Sequence, residues 1–598
     1  MSSVPERSEI DAEYKWDLES IYATDDEWED AYEAVSERLD DLRDYEGRAT
    51  EDGETLLAVL ELRDEIMREV SQIVSYARMR KDENTADQHY QGLATRGMSL
   101  SSDASSAASF IEPEIQSLDR EELDAMVEST DGLGEYDHYL DDVIRMSDHT
   151  RSAEVENVLA ELGEVTGAAG DIYGMLLNAD MEFPTVEKPD GEAVEITQDN
   201  LTTLLKNPDR EFRETVYEGF FDRLGEMHNT IGTAYENSVK ADVKLARIRG
   251  YDTAREAAMD GPNVPAAVYD NLVDTVRDNL DKLHRHAELK RASLGVDELR
   301  MWDVYMPMTE TETPEVSYEE ATDHVVTALD ALGDDYQSRV ADGLDSRWVD
   351  VYETQNKRSG AYSAGTYDTQ PFILMNWQDD ISSMFTLAHE LGHSLHSQLT
   401  SEAQPYVYGD YEIFVAEVAS TVNETLLTHH LLETVEDPTF RRHVLNEYLE
   451  RFRSTLYRQT MFADFEHQAH QVVEEGGALT PQKADEIYGD LKAEFYEPAV
   501  VDDRIAREWS RIPHFYRAYY VYQYSTGISA AVALADRILE EGEPAVEDYR
   551  RFLESGSREY PLDLLDIAGV DMSSPEPIQR ALDVYDEYLD EMETLVRE

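Results

Sequence analysis

The sequence contains no cysteine in its 598 residues, and this absence removes several kinds of chemistry. Without a thiol the chain has no disulfide, no thiolate metal ligand and no cysteine nucleophile. Any transition metal must therefore be held by histidine and carboxylate side chains.

Basic residues are scarce compared with acidic ones. The chain has 51 Lys and Arg against 130 Asp and Glu, a formal net charge of −79 at pH 7. Nucleic acids and anionic membranes bind basic surfaces, so this charge argues against both as partners. The acids are spread from end to end, as on a solvated surface. The pattern is typical of a halophilic protein, in which salt screens self-repulsion, and it predicts lower stability at low salt.

A targeting or membrane segment is also missing from the pattern. The first residues, MSSVPERSEIDAEYKWDL, have no apolar core and carry acids, unlike a secretion signal. The longest uncharged run, residues 518–535, approaches the length of a membrane span but contains Gln523, Gly527 and four tyrosines. We expect a buried helix there and a cytoplasmic protein.

Most of the chain has apolar residues at helical spacing, as in Leu56, Leu60 and Ile66. The exceptions are residues 183–196 and residues 362–377, which are rich in β-branched or strand-forming residues with turn signals. A mainly α fold with a small β-sheet is predicted.

Domain boundaries are weakly marked, since no Pro- or Ser-rich linker and no repeat divides the chain. At this length several subdomains are expected. We place an N-terminal helical region at 1–114, a second helical domain at 115–195 and a catalytic body at 200–598.

The clearest motif lies in the sequence FTLAHELGHSLH, which reads as an amphipathic helix with Asp379, Asp380 or Ser382 as its N-cap. His389 and His393 are four residues apart, so both rings project from one face and can bind one Zn²⁺. Between them, Glu390 would lie beside a metal-bound water as its general base.

A catalytic zinc needs a third protein ligand. No third histidine follows at the extended spacing, so a carboxylate is expected. Of the available glutamates, Glu417 is embedded in an apolar helical run, where an ionised carboxylate must be paired or bound to metal. The alternative role for Glu417 is that of a partner in a buried ion pair. The four candidates are Glu402, Glu412, Glu417 and Glu424.

Two neighbouring residues have less specific signals. Glu424 lies two turns after Glu417 on the same face, where it could accept the free ring N–H of a ligating histidine or form an ordinary salt bridge. His396 shares a face with the histidine pair but is expected to be a core histidine.

These residues together resemble the oligoendopeptidase F family, relatives of thimet oligopeptidase and neurolysin among the gluzincin peptidases. The similarity extends over roughly residues 14–585. Besides the metal helix, it is carried by the segments WDL at 16–18, RGYDTA at 249–254, WDVY at 302–305, KRSGAY at 357–362, ILMN at 373–376, FVAE at 414–417 and IPHFY at 512–516.

The resemblance implies a two-lobed helical body with one zinc ion at the bottom of a deep channel, which admits short peptides and cleaves internal bonds. It also implies that a strand within residues 362–376, with Gly360 and Tyr362, pairs with the peptide backbone. An oxyanion would be stabilised by a late histidine and tyrosine, here among His514, Tyr519, Tyr522 and Tyr524. A homo-oligomer is allowed.

Two other functions remain open from the sequence. A helical zinc carboxypeptidase would use a similar metal helix and a cation for the substrate's terminal carboxylate, such as Arg358, Arg507 or Arg517. A peptide-binding protein with a structural zinc is disfavoured, because structural sites have four protein ligands and no use for Glu390.

Overall fold

The computed structural model describes residues 4–309 and 313–597, and most of them are helical. Asp52 begins the longest helix by accepting the Thr55 N–H at 2.8 Å. In chain order the helices are α1 Asp25–Arg43, α2 Gly53–Glu83, α3 Gln88–Ala108, α4 Ile111–Gln116, α5 Arg120–Ser129, α6 Asp137–Arg145, α7 Ala153–Met175, α8 Leu201–Leu204, α9 Arg210–Glu226, α10 His228–Arg249, α11 Ala254–Asp260, α12 Ala266–Asp278, α13 Leu280–Ser293, α14 Tyr318–Ala328, α15 Asp334–Asp345, α16 Ile381–Ala403, α17 Ile413–Thr434, α18 Pro438–Arg451, α19 Arg458–Glu474, α20 Pro481–Phe495, α21 Tyr522–Glu541, α22 Glu543–Leu553, α23 Pro561–Ile567 and α24 Glu576–Arg597.

The strands form two small sheets. One is an antiparallel pair, and the other has the order β3-β5-β4, with β3 parallel and β4 antiparallel to the central β5. The strands are β1 Thr185–Glu187, β2 Ala193–Glu195, β3 Val349–Tyr352, β4 Tyr362–Ala364 and β5 Phe372–Trp377.

The chain divides into two compact units built from separated segments. The first unit contains the chain up to Asp148, Glu315–Leu431 and Leu534–Gly569. The second contains His149–Pro314, Leu432–Ala533 and the chain from Val570 onward. The division at 1–114, 115–195 and 200–598 stays a prediction about linear domains.

The core of the first unit joins its N-terminal helices to the three-stranded sheet. Trp28 on α1 is fully buried and donates its indole N–H to the carbonyl of Ile73 on α2 at 2.9 Å. Phe372 and Leu374 of β5 pack into the same cluster. The burial of these large side chains, at about 25 cal/mol per Å² of apolar surface, fixes the sheet against the helices.

A buried ion pair orders the sheet. Asp350 on β3 is 2% exposed and contacts Lys357 at 2.7 Å and Arg7 at 2.9 Å. Lys357 also donates to the carbonyls of Asp350, Tyr352 and Met375. Burial raises the pKa of Asp350, but Arg7 and Lys357 outweigh it and hold the carboxyl ionised. The segment that leads into β4 is thereby tied to β3 and β5.

The second unit has an aromatic core. Phe465 of α19 packs against Tyr235 of α10, and against Phe515 with ring centroids 5.0 Å apart. Trp509 completes the group from a short 3₁₀ segment. Such aromatic contacts bury large apolar areas in stacked and tilted arrangements.

The mainly α fold and the two strand regions confirm the sequence prediction, whereas three details differ. Strand β3 was not predicted. The uncharged run 518–535 is helical only from Tyr522, because Tyr519 has a positive φ of 54°, which is incompatible with a right-handed helix. In α7, Val165 is 68% exposed, although an apolar side chain on a helix is generally expected to be buried. None of the described helices combines the length and the hydropathy that a membrane span requires.

Candidate active site

The helix α16 carries both predicted histidines, and its start is set by one of the three candidate caps. Asp380 has an extended backbone, and its carboxylate accepts the Ser383 N–H at 2.8 Å. This satisfies one of the free N–H groups at the start of the helix. The helix then extends from Ile381 to Ala403 with His389 and His393 one turn apart.

Helices α16 and α17 approach closely enough to exclude a side chain at Gly392. A Cβ built there would lie 2.5 Å from the Cα of Ser420 and 2.6 Å from the carbonyl oxygen of Ala419. Nearby, Asn423 is buried and donates to the Ala388 carbonyl at 3.1 Å. The glycine between the two histidines therefore sets the distance from the histidine helix to the helix that carries Glu417.

We expect Gly392→Ala to destabilise the protein and weaken metal binding, because backbone atoms of α17 must move to admit the methyl group. Overpacking of this kind costs about 1–3 kcal/mol. The matched control is Gly167→Ala in α7, where a Cβ would meet no atom within 4 Å. That change should stabilise its helix by about 0.5–1 kcal/mol. Thermal unfolding and metal content of both variants test this, and equal stability of the two would contradict the packing argument.

Three side chains converge on one point of the first unit. Nε2 of His389 lies 3.2 Å from Nε2 of His393. Oε2 of Glu417 lies 3.4 Å from the first nitrogen and 3.6 Å from the second. Within the described residues this is the cluster that could hold a metal ion.

The separations fit a zinc ion. Ligand atoms 2.0–2.1 Å from a tetrahedral ion lie about 3.3 Å from one another. The three measured distances are close to this value, and two imidazoles with one carboxylate form a ligand set that zinc enzymes use while keeping a fourth position open. The Glu417 side chain is 32% exposed, so its carboxylate faces a cavity and is not embedded in the apolar core as the sequence suggested.

Both histidine rings are held by groups behind them. Glu424 is fully buried and its Oε1 lies 2.8 Å from Nδ1 of His389. The backbone of Ala416 hydrogen-bonds the ring of His393. These contacts direct the Nε2 atoms of both rings toward Glu417, as outer contacts do in metal sites.

The charges of the site depend on one another. Burial lowers the pKa of His389, but Glu424 and Glu417 outweigh it and raise the pKa to about 9. Burial and the charge on His389 lower the pKa of His393 to about 4. Burial raises the pKa of Glu390 to about 7. A carboxyl group whose pKa lies near neutrality is suited to exchange protons at physiological pH.

A large cavity adjoins this cluster. Its volume is about 880 Å³, and its wall includes residues 361–367 as well as His389, Glu390, His393 and Glu417. The backbone of Ser363 hydrogen-bonds the Glu390 carboxylate. Strand β4 thus follows the cavity wall beside the glutamate.

The outer edge of β4 has no partner strand in the part of the chain that the structure describes. Strand β4 bonds β5 on one side only, and no other described strand lies on its second edge. Tyr362 lines the cavity and donates its hydroxyl to Asp82 at 3.0 Å. Gly360 precedes the strand with φ 84°, and its carbonyl accepts from Asn376 at 2.8 Å. It is not part of the cavity wall.

The remaining glutamates and histidine of the motif region have other contacts. Glu402 pairs with Arg339 at 3.0 Å. Glu412 is exposed just before α17. His396 is buried and stacked on Tyr411 at 3.7 Å between centroids, and burial lowers its pKa to about 3. His396 is therefore a neutral core residue, as expected.

His514 and the three late tyrosines belong to the second unit. His514 is exposed on a 3₁₀ turn, and its ring is parallel to that of Tyr520. Tyr519 is buried, and its backbone N–H donates to Glu466 at 2.9 Å. Tyr522 is buried as well, whereas Tyr524 donates its hydroxyl to Tyr520 at 3.2 Å.

Sequence reasoning missed the contribution of α2 to the cavity. Arg63, Asp64, Met67 and Ser71 project from one face of this helix into the wall. Asp82, near its end, is fully buried and accepts from the Tyr362 hydroxyl. No local signal could have found them, since they lie about 300 positions from the motif and are brought there by tertiary packing alone.

A helical protein that directs two histidines and a glutamate to one point, with another glutamate beside them on a cavity wall, is a metallopeptidase. Comparison with known proteins agrees. Residues 203–584 match the model of peptidase family M3, and residues 114–183 match that described as Oligopeptidase F. The chain belongs to peptidase family M3 and is a metalloendopeptidase.

Several relatives cover almost the whole chain. Oligopeptidase PepF of Bacillus subtilis is 43% identical over 100% of this chain and 89% of its own length. Group B oligopeptidase PepB of Streptococcus agalactiae is 38% identical, with 99% and 98% covered. The crystal structure of oligoendopeptidase-F from Enterococcus faecium superposes with a TM-score of 0.75 at 36% identity, over 96% of this chain and 100% of that one. The predicted family is confirmed.

Proposed function

We propose that this protein is a zinc-dependent oligopeptidase of the cytoplasm, which cleaves internal bonds of short peptides with one zinc ion per chain. The observation that carries the proposal is the convergence of His389, His393 and Glu417, at separations that suit a zinc ion. A zinc ion held there would supply Lewis acidity toward a carbonyl oxygen and make a water molecule more acidic.

Glu390 acts as the proton carrier of the reaction. Glu390 lines the same cavity as the two histidines, and burial raises its pKa to about 7. Glu390 accepts a proton from the attacking water and later donates it to the amine of the leaving peptide. Both transfers need a group that is basic before attack and acidic afterwards, and a pKa near the working pH meets both conditions.

The free edge of β4 binds the peptide main chain. An extended substrate that adds to this edge forms backbone hydrogen bonds. Such bonds select for the length and conformation of the peptide but not for its side-chain sequence. Tyr362 begins the strand, and Gly360 gives the segment before it a left-handed turn. Asp82 acts through Tyr362 as a positioning residue for the strand.

The negative charge on the tetrahedral oxygen needs donors beyond the metal. His514, Tyr519, Tyr522 and Tyr524 are our candidates, and the resemblance to the family is what supports them. Each such donor contributes about 3–4 kcal/mol to transition-state stabilisation in acyl-transfer enzymes. Tyr524 already donates its hydroxyl to Tyr520, so it must change partner to serve.

An exopeptidase that holds a terminal carboxylate is less well supported. Arg358 pairs with Asp82 at 3.1 Å and lies over the Tyr362 ring. Arg507 is 3.9 Å from Asp485, and Arg517 lies over Tyr520. The structure offers no specific observation that favours this activity over cleavage of internal bonds.

The first test is hydrolysis of a short, internally quenched peptide blocked at both ends. We expect internal cleavage that a chelator abolishes and one equivalent of zinc restores, because the Lewis acidity that the reaction needs would come from the metal ion and not from the side chains of the site. A matched peptide with a free C-terminus is the control. Cleavage of the free peptide alone, always near its end, would contradict the proposal and indicate a carboxypeptidase. Unfolded proteins and folded domains of rising size then test whether short peptides are preferred.

A further inference from the structure

The second unit buries an excess of positive charge, although the whole chain carries −79. Three basic side chains surround the single carboxylate of Glu508, which is 1% exposed. Arg458 lies 2.8 Å from Oε1, Lys492 lies 2.8 Å from Oε2 and Arg511 lies 3.8 Å from Oε1. One negative charge thus faces three positive ones.

The excess continues at a neighbouring carboxylate. Glu450 is shared by Lys290 and Arg453, both nearly buried. Arg453 also lies 5.3 Å above the ring of Tyr305, which contacts Glu508. The two carboxylates and five basic groups therefore form one cluster with three positive charges in surplus, because the described residues place no further carboxylate within 4.0 Å of Arg458, Lys492 or Arg511.

Two of these guanidinium groups have an unused donor. Nε of Arg458 and Nε of Arg511 are buried, and neither has a hydrogen-bond partner within the part of the chain that the structure describes. Both guanidinium groups meet at Oε1 of Glu508. A buried donor without a partner costs about 1–3 kcal/mol, and more when it is charged, so two such donors on side chains that approach the same carboxylate call for an acceptor.

A third donor lies at the same oxygen. The Tyr305 hydroxyl is 3.4 Å from Oε1 of Glu508, which is a long contact for an O–H donor. Burial raises the pKa of Tyr305, but Arg458, Arg511 and Lys492 outweigh it, so the pKa lies below its usual value. The lowered pKa of Tyr305 is thus a second indication that positive charge is in surplus around its hydroxyl.

We infer that Arg458, Arg511 and Tyr305 form a binding site for a small monovalent anion of the halide class, which balances part of the buried positive charge. The donors are N–H and O–H groups in a partly apolar surrounding, and a weakly hydrated halide can replace its water shell with them. The Arg458 and Arg511 side chains are 15% and 13% exposed, which leaves a route for exchange. This inference does not rest on the proposed function.

Crystals soaked in bromide test the site directly. We expect an anomalous difference peak within hydrogen-bond distance of Nε of Arg458 and Nε of Arg511. Bromide peaks elsewhere on the protein with none in this cluster would overturn the inference. A soak in acetate distinguishes the chemistry, since a carboxylate seated there while bromide is excluded would also overturn a halide site.

Solution measurements separate specific binding from screening. Chloride is titrated against gluconate at constant ionic strength, because a chain with this net charge responds to salt in general. We expect the unfolding temperature to rise by at least about 3 °C and to saturate, as for a ligand that binds only the folded state. An equal unfolding temperature in the two salts at every chloride concentration would contradict the inference.

Variants link that stabilisation to the named donors. Arg511→Gln should raise the chloride midpoint, the concentration that gives half of the maximal stabilisation, at least about tenfold. If this variant fails to fold, Tyr305→Phe, which removes only a hydroxyl, takes its place. Arg504→Gln is the matched control, since Arg504 pairs with Asp222 at 2.8 Å in the same unit and should leave the midpoint unchanged. A tyrosinate absorption band at neutral pH that Tyr305→Phe abolishes would show that Tyr305 itself supplies the negative charge, which would overturn the proposal.

Discussion

Glu390→Gln is expected to lower kcat/KM for peptide cleavage by about 10³-fold or more while zinc remains bound at one per chain. Glutamine has nearly the same shape as glutamate and leaves His389, His393 and Glu417 in place. It cannot accept a proton from water at neutral pH. The loss should therefore appear in kcat, because in the proposed mechanism the carboxylate acts on the reacting atoms and contributes little to binding of the peptide ground state.

The matched control for this change is Glu402→Gln on the same helix. Glu402 is about half exposed and pairs with Arg339, and surface pairs of this kind contribute about 0–1 kcal/mol to stability. Its glutamine variant should keep wild-type kcat and zinc content. Kinetics and metal analysis of both proteins decide the matter. Activity of Glu390→Gln within tenfold of wild type, with zinc present, would remove Glu390 as the general base.

The sequence was sufficient to predict those parts of the site that depend on local spacing. His389, Glu390 and His393 are fixed relative to one another by one turn of helix, so their geometry follows from periodicity. Glu424 lies two turns beyond Glu417 on one helix, and the structure finds it at Nδ1 of His389. The sequence also offered three neighbouring residues as the N-cap of α16, and Asp380 occupies that position.

The parts that were missed depend on contacts between distant segments. Nothing near Asp82 indicates that its carboxylate accepts the Tyr362 hydroxyl, 280 positions later. The close approach of α16 and α17 at Gly392 depends on how the two helices pack, which the sequence of either helix alone does not reveal. In α7, the apolar residues Val165 and Met175 are exposed. Helical periodicity can indicate an apolar stripe, but it does not tell which element, if any, covers that stripe.

The exposure of Glu417 shows that the sequence argument for choosing this residue was incomplete. Its apolar neighbours suggested a carboxylate in the core that metal must neutralise. In the structure Val415 and Val418 are buried, while the Glu417 side chain is 32% exposed at the cavity. The apolar neighbours therefore anchor the helix, and the carboxylate projects from the opposite side toward the histidines.

Glu417→Ala is expected to abolish both zinc binding and peptide cleavage, since two imidazoles alone leave half of the tetrahedral positions without protein ligands. Zinc content after dialysis against a zinc buffer should fall from one per chain to near zero, and kcat/KM should fall by about 10³-fold or more. Glu412→Ala is the control, because this neighbouring glutamate is exposed and is not part of the cluster.

Glu424→Gln should give a graded result that separates a ligand from a residue that orients one. Glutamine can still accept the N–H of His389, but the charge that favours this ring orientation is lost, and removing such a contact typically weakens metal affinity by 10–100-fold. We therefore expect Glu424→Gln to retain zinc at high free concentration and regain activity there, which Glu417→Ala should not do. If Glu417→Ala kept one zinc per chain while Glu424→Gln lost it, the two glutamates would exchange roles. His389 would then have to turn its ring, because Glu424 now lies 2.8 Å from Nδ1, on the side of the imidazole away from His393 and Glu417.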